Sequence, residues 1–114
     1  MTMPVVAVAD LYGISGRRPE LVAALAEEER EAAGQSGCVR YSFAATLADP
    51  DRFVLISEWR DQAALDAHYA SRGFAAFQFS LDGLLARPSE LTVYSVTGSA
   101  RPVASGPMDP RDAD

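Results

Sequence analysis

The stretch Phe53–Trp59, reading FVLISEW, constrains the fold of this chain more than any other. Its residues alternate, with Phe53, Leu55, Ser57 and Trp59 on one face and Val54, Ile56 and Glu58 on the other. Both faces are largely apolar, which predicts a strand covered on two sides rather than one wet on its outer face. The next segment of the chain supplies one of those covers. Arg60-Asp61 is a turn, and the Asp61 carboxylate can accept from an orphan amide and so cap a helix. On that helix Leu65, His68 and Tyr69 fall at i, i+3 and i+4 and share a face. Ser71 is a second cap, and Phe74, Phe77, Leu81, Leu84 and Leu85 form a helical stripe that predicts a second helix running to Leu85, with Phe79 off the stripe. Gly73 weakens the first turn and predicts a break between two helices rather than one long one. The span 53–85 holds the only tryptophan, the only histidine and four of the five phenylalanines, so chemistry is expected here first.

The rest of the chain supplies the partners of that strand. Val5 to Tyr12 is β-branched and apolar and closes on Gly13 and Gly16, which predicts a first strand. Pro19 suits the first turn of a helix, and Glu20 adds a negative charge where the helix dipole favours it. Leu21, Val22 and Leu25 give that helix a buried stripe to about Ala33, and Gly34 stops it. The run Glu27-Glu28-Glu29-Arg30-Glu31 can be a patch for cations or basic partners, but it reads first as the solvated side of the helix. Cys38 to Leu47 is a second strand, with Val39, Tyr41 and Phe43 on one side and Cys38, Arg40, Ser42 and Ala44 on the other. The turn Ala48-Asp49-Pro50-Asp51 joins it to the third strand as a hairpin. Pro88 ends the helical pattern, and Glu90 to Thr97 returns as a strand. Residues 1–98 therefore read as one domain, and 99–114, rich in Pro, Gly, Ala and Asp, as an extended or flexible tail.

The order β-α-β-β-α(α)-β is the split βαβ pattern of α+β, ferredoxin-like folds, an antiparallel sheet with helices on one face. A sheet so covered leaves Val54 and Ile56 exposed in a single chain, and such a surface wants a partner. A net charge of −6 disfavours nucleic acid and anionic membrane. No apolar run approaches the roughly 20 residues of a membrane span. The amino terminus lacks the basic start and apolar core of a secretory signal, and the lone Cys38 cannot form an internal disulfide, so a cytoplasmic protein is the expectation. The basic residues are all arginine and alanine is abundant, a composition associated with bacterial genomes rich in G and C.

The pattern EWRDQAALDAHYASRGFAAF resembles the antibiotic biosynthesis monooxygenase family of the dimeric α/β-barrel superfamily. Members run from a strand ending in Glu-Trp through a short acid-capped helix ending in Ala-His to a Ser-x-x-Phe opening of the last helix. Glu58-Trp59, His68, Ser71 and Phe74 fit that spacing. The resemblance covers roughly the first hundred residues. It implies a homodimer in which two sheets pack face to face as a barrel, and cofactor-free oxygenation of an electron-rich aromatic by dioxygen.

His68 has the one side chain whose ordinary pKa lies near working pH, which makes it the candidate general base or proton shuttle. It can equally be a buried histidine that bonds a neighbouring carbonyl. Trp59 can form a wall of an aromatic-binding pocket, with its indole N–H donating to substrate, or be the largest side chain of the core. Leu55, Tyr41, Phe74 and Phe77 are candidates to shape the cavity, the phenylalanines also serving as packing. Cys38 has no neighbour in sequence that would lower its pKa and reads as inert.

There is no Gly-rich phosphate loop or dinucleotide fingerprint. One histidine and one cysteine do not make a metal cluster. An enzyme built on this chain is therefore expected to work without flavin, nicotinamide or metal. The leading expectation is a monooxygenase acting on a quinol or other phenolic or polyketide-like molecule. Polyketide-oxidising relatives can carry an asparagine four residues before the tryptophan, where this chain has Leu55, which counts against an anthrone. The alternative is a non-catalytic small-molecule-binding or stress-associated dimer of the same fold. Haem degradation ranks lower, because the relatives that perform it carry a histidine ligand where this chain has Gln78.

Overall fold

The structure is a computed structural model that describes residues 2–102. Its elements are β1 (Val5–Tyr12), α1 (Arg18–Ala33), β2 (Cys38–Ala45), β3 (Arg52–Trp59), α2 (Gln62–Tyr69), α3 (Arg72–Ser80) and β4 (Glu90–Ser95). The four strands form one sheet in the order β2-β3-β1-β4, every neighbouring pair antiparallel. This is the expected ferredoxin-like α+β arrangement. The expected tail, 99–114, lies outside the described residues from 103 onward, and 99–102 carry no regular structure.

The helices lie on one face of the sheet, and alternation decides what they cover. Val5, Ala7, Ala9 and Leu11 of β1 and Phe53, Leu55, Ser57 and Trp59 of β3 are all buried there, against Leu21 and Leu25 of α1 and Leu65 of α2. Burying side chains such as Leu21 and Leu65 completely contributes about 1.5–3 kcal/mol each. The opposite face is not covered within one chain. Val54 and Glu58 are half-buried there and Ile56 is 38% exposed, so the two-sided burial expected of β3 is one-sided in the single chain.

The caps appear where the sequence puts them. Asp61 accepts from the Ala64 amide at 2.8 Å and Ser71 from the Phe74 amide at 3.1 Å. The chain breaks between these two helices as Gly73 suggests.

Other details differ from the expectation. β2 ends at Ala45 rather than Leu47, and β4 at Ser95 rather than Thr97. The β2–β3 register skips a residue, Cys38 facing Trp59 and Arg40 facing Glu58, so Val39 is bulged out. Simple alternation therefore fails at that end: Cys38 packs against the core and Val39 is exposed. The second helix of the pair stops at Ser80 instead of Leu85, because Gly83 adopts a positive φ of 76° and turns the chain. Leu81 and Leu84 stay buried, and Leu85 bridges to Gly13 beyond β1.

Candidate active site

A cavity of about 250 Å³ lies between the helix-covered face of the sheet and the α2–α3 pair. Of the residues singled out from the sequence, Tyr41, Leu55, His68, Phe74 and Phe77 line it together. Strand β2 supplies Tyr41, β3 supplies Leu55, the last turn of α2 supplies His68, and α3 supplies the two phenylalanines. Gln78, where haem-degrading relatives carry their ligand, also faces the cavity.

Trp59 is not part of the lining. It is fully buried one layer behind, stacked on His68 with ring centroids 4.7 Å apart and 30° between the planes. The expectation of an indole wall thus gives way to an indole that backs the imidazole. Its Nε1 has no hydrogen-bond partner, because the last residue of β3 points into the layer where α2 docks.

The cavity is mostly apolar, but His68 ties its lining to a connected set of polar groups behind it. His68 is 3% exposed, and its Nδ1 lies 2.5 Å from Gln35 Oε1. The direction of that bond is set by its neighbours. The Ser71 hydroxyl donates to the His68 carbonyl at 2.6 Å, so it can only accept from Gln35 Nε2 at 3.3 Å. Gln35 therefore turns its carbonyl oxygen towards the imidazole and Nδ1 carries the proton. Nε2 is left with a bare lone pair and no hydrogen-bond partner, 3.7 Å from Glu28 Oε2.

Glu28 is the residue that the reading by composition missed. The acidic run on α1 is not uniformly solvated: Glu28 is 2% exposed, and Glu29 accepts from the Phe43 amide at 2.9 Å. The signal was present in the spacing, since Leu21, Leu25, Glu28 and Ala32 stand at i, i+4, i+7 and i+11, the buried residues of one helix face. Gln35, in the loop after α1, carried no such signal.

The Tyr41 hydroxyl donates to Glu28 Oε2 at 3.0 Å. Burial pushes the Glu28 carboxyl up to about 7, against the opposing effect of the Tyr41 hydrogen bond and helped by the charge of Glu31. Burial also holds His68 down at about 4, so its imidazole is neutral across the working range. Burial and the adjacent Glu28 raise the Tyr41 phenol, which stays protonated. Cys38, half-buried with its thiol pushed up by burial, fits the inert reading. Among the described residues no group of three or more His, Cys, Asp or Glu is placed to hold a metal ion, and no helix is long and apolar enough to cross a membrane.

The family model for antibiotic biosynthesis monooxygenases matches residues 4–79. A curated, uncharacterised protein of Synechocystis is 27% identical over 93 residues, which cover 82% of this chain and 63% of that protein. The chain thus spans under two thirds of that relative's length. Two solved structures carry provisional antibiotic biosynthesis monooxygenase names. The one from Nitrosomonas europaea has a TM-score of 0.80 at 15% identity, covering 85% of this chain and 93% of its own. The one from Deinococcus radiodurans has a TM-score of 0.80 at 20% identity, with 89% and 99% covered. At these identities the likeness is one of fold.

Proposed function

The chain belongs to the antibiotic biosynthesis monooxygenase family, and on that premise we propose that it oxygenates a small electron-rich phenol or quinol with dioxygen and no cofactor. The observation that carries this reading is the cavity itself: a largely apolar space lined by His68 and Tyr41, with the Glu28 carboxyl behind them, 3.7 Å from the imidazole and bonded to the Tyr41 hydroxyl. An apolar cavity of about 150 Å³ accepts benzene. At about 250 Å³ this one suits a ring or two with hydroxyl substituents better than an extended polyketide.

The chemistry asks little of the protein. The buried cluster of His68, Tyr41 and Glu28 takes the substrate's phenolic proton. The phenolate passes one electron to dioxygen, giving an aryloxyl radical and superoxide, which join at a ring carbon as a peroxide. The peroxide takes back a proton, the O–O bond breaks, and water leaves with the ring hydrogen, so that phenol and dioxygen become quinone and water. Phe74, Phe77 and Leu55 would hold the ring and keep bulk water out. Trp59 would act from behind by fixing the imidazole plane.

The working unit in this reading is a homodimer closed through the helix-free face of the sheet, where Val54 and Ile56 lack cover in the single chain. Dioxygen uptake with a panel of hydroquinones tests the activity. Binding of those molecules with no uptake would support the alternative, a binding protein of the same fold.

A further inference from the structure

We infer that the substrate's proton comes to rest on Glu28, delivered through the hydroxyl of Tyr41. The inference deepens the proposed oxygenation and rests on it only for the identity of the proton donor. Its basis is position. Tyr41 lines the cavity, and its hydroxyl donates to Glu28 Oε2 at 3.0 Å. Glu28 in turn contributes to the wall of a separate groove on the far side, with Glu27 and Glu31 of α1 and Gly73, Phe77 and Ser80 of α3. Glu28 therefore stands between the cavity lining and that groove, with its side chain 1% exposed and its carboxyl bonded to Tyr41. The His68 side chain is equally buried, with its Nδ1 proton held by Gln35 and no hydrogen bond joining its Nε2 to the Tyr41 hydroxyl.

The step balances without any further reagent. The substrate O–H bond breaks as a bond from that hydrogen to Tyr41 Oη forms. The original Tyr41 O–H bond breaks as Glu28 Oε2 gains its hydrogen. The substrate becomes the phenolate, Tyr41 ends as it began, and Glu28 changes from carboxylate to carboxylic acid. A base held up at about 7 is better matched to a phenol than an imidazole held down at about 4. The ionisable groups around the carboxyl are Tyr41 from β2, His68 from α2, and Glu27 and Glu31 from its own helix; the α3 residues of the groove, Gly73, Ala76, Phe77 and Ser80, do not titrate in this range.

The test is an infrared titration of the carboxylic acid band in the whole protein, run without substrate so that its result is independent of turnover. The wild type should lose a buried carboxylic acid band with a midpoint near pH 7. Glu28→Gln, which keeps an oxygen to accept from Tyr41, should lack that band. Tyr41→Phe should move the midpoint upward, because the bond it removes favours the carboxylate. Under anaerobic conditions just above that midpoint, 4-nitrophenol, which itself ionises near neutral pH, should bring part of the acid band back in the wild type as its proton passes to Glu28, and none in Glu28→Gln. A midpoint in the ordinary carboxylate range, a downward shift in Tyr41→Phe, or no return of the wild-type band with 4-nitrophenol would overturn the inference. Absence of dioxygen uptake would count against the oxygenation alone.

Discussion

The indole of Trp59 stacks on the imidazole of His68 at 4.7 Å, and both rings are shut away from solvent. Tyr41 and Phe74 meet the same imidazole edge-on at 5.4 and 4.9 Å. A histidine packed this closely on several sides serves the core and the cavity together. Of the two readings that the sequence left open for His68, general base and buried histidine bonded to a carbonyl, the second is met by Gln35 Oε1, and the cavity position is what the first requires.

Removing that ring should therefore cost stability as well as chemistry. His68→Ala opens a void between Trp59, Tyr41 and Phe74 and leaves Gln35 Oε1 without its donor. The expected loss is about 2–5 kcal/mol, read as a lowered midpoint in urea with an unchanged slope. A loss below about 0.5 kcal/mol would mean that the imidazole is not packed as described.

The pH dependence of stability has a sign that separates His68 from Glu28. His68 is lowered from 6.5 to about 4, so the unfolded chain binds a proton that the folded one refuses, and stability falls as pH drops through that window. Glu28 is raised from 4.5 to about 7, so its contribution is full below 4.5 and is lost as pH rises through 7. Between 4.5 and 6.5 the two slopes cancel, and the pair gives the wild type a flat profile. Each variant should uncover the other group, with slopes of at most about 1.4 kcal/mol per pH unit. The Glu28→Gln protein should itself gain stability with rising pH between 4 and 6.5, and the His68→Gln protein should itself lose it between 4.5 and 7. Profiles parallel to wild type in both variants would contradict the shifts.

Gly37 is a position where an added methyl group should be felt at once. Its φ is +82°, and a Cβ there would meet Ala64 Cβ at 2.5 Å, at the start of α2. Its carbonyl also accepts from the Arg60 amide at 2.8 Å. Gly37→Ala should destabilise by about 1–3 kcal/mol in thermal or urea unfolding. A neutral result would show that the loop and α2 are not in contact.

Little in the overall fold needed the structure. The strands and helices follow from alternation in β1 and β3, from Asp61 and Ser71 as caps, and from the break after Tyr69 that Gly73 signals. The errors came where one residue's geometry overrode a pattern. The bulge at Val39 inverted the faces at one end of β2, and Gly83 ended α3 while the apolar stripe continued. The site was only half legible for a different reason. Apolar lining such as Phe74 and Phe77 announces itself by spacing, whereas Glu28 stood in an acidic run that composition assigns to solvent. Gln35 reaches His68 across 33 positions of sequence, a contact no local pattern encodes.

The open face of the sheet carries a prediction of its own. Light scattering at micromolar concentration should give twice the chain mass. Ile56→Asp places a charge at the centre of that face and should dissociate or unfold the pair. A clean wild-type monomer would remove the dimer from the account.

Dioxygen uptake by the purified protein, with hydroquinones of one and two rings and no added flavin or metal, tests the central claim most directly. The expected result is uptake of one dioxygen for each hydroxyquinone formed, with water rather than hydrogen peroxide as co-product, at a rate that rises with pH through about 7 as Glu28 loses its proton. Uptake that appears only after flavin or metal is added, or none with any quinol that binds, would contradict it.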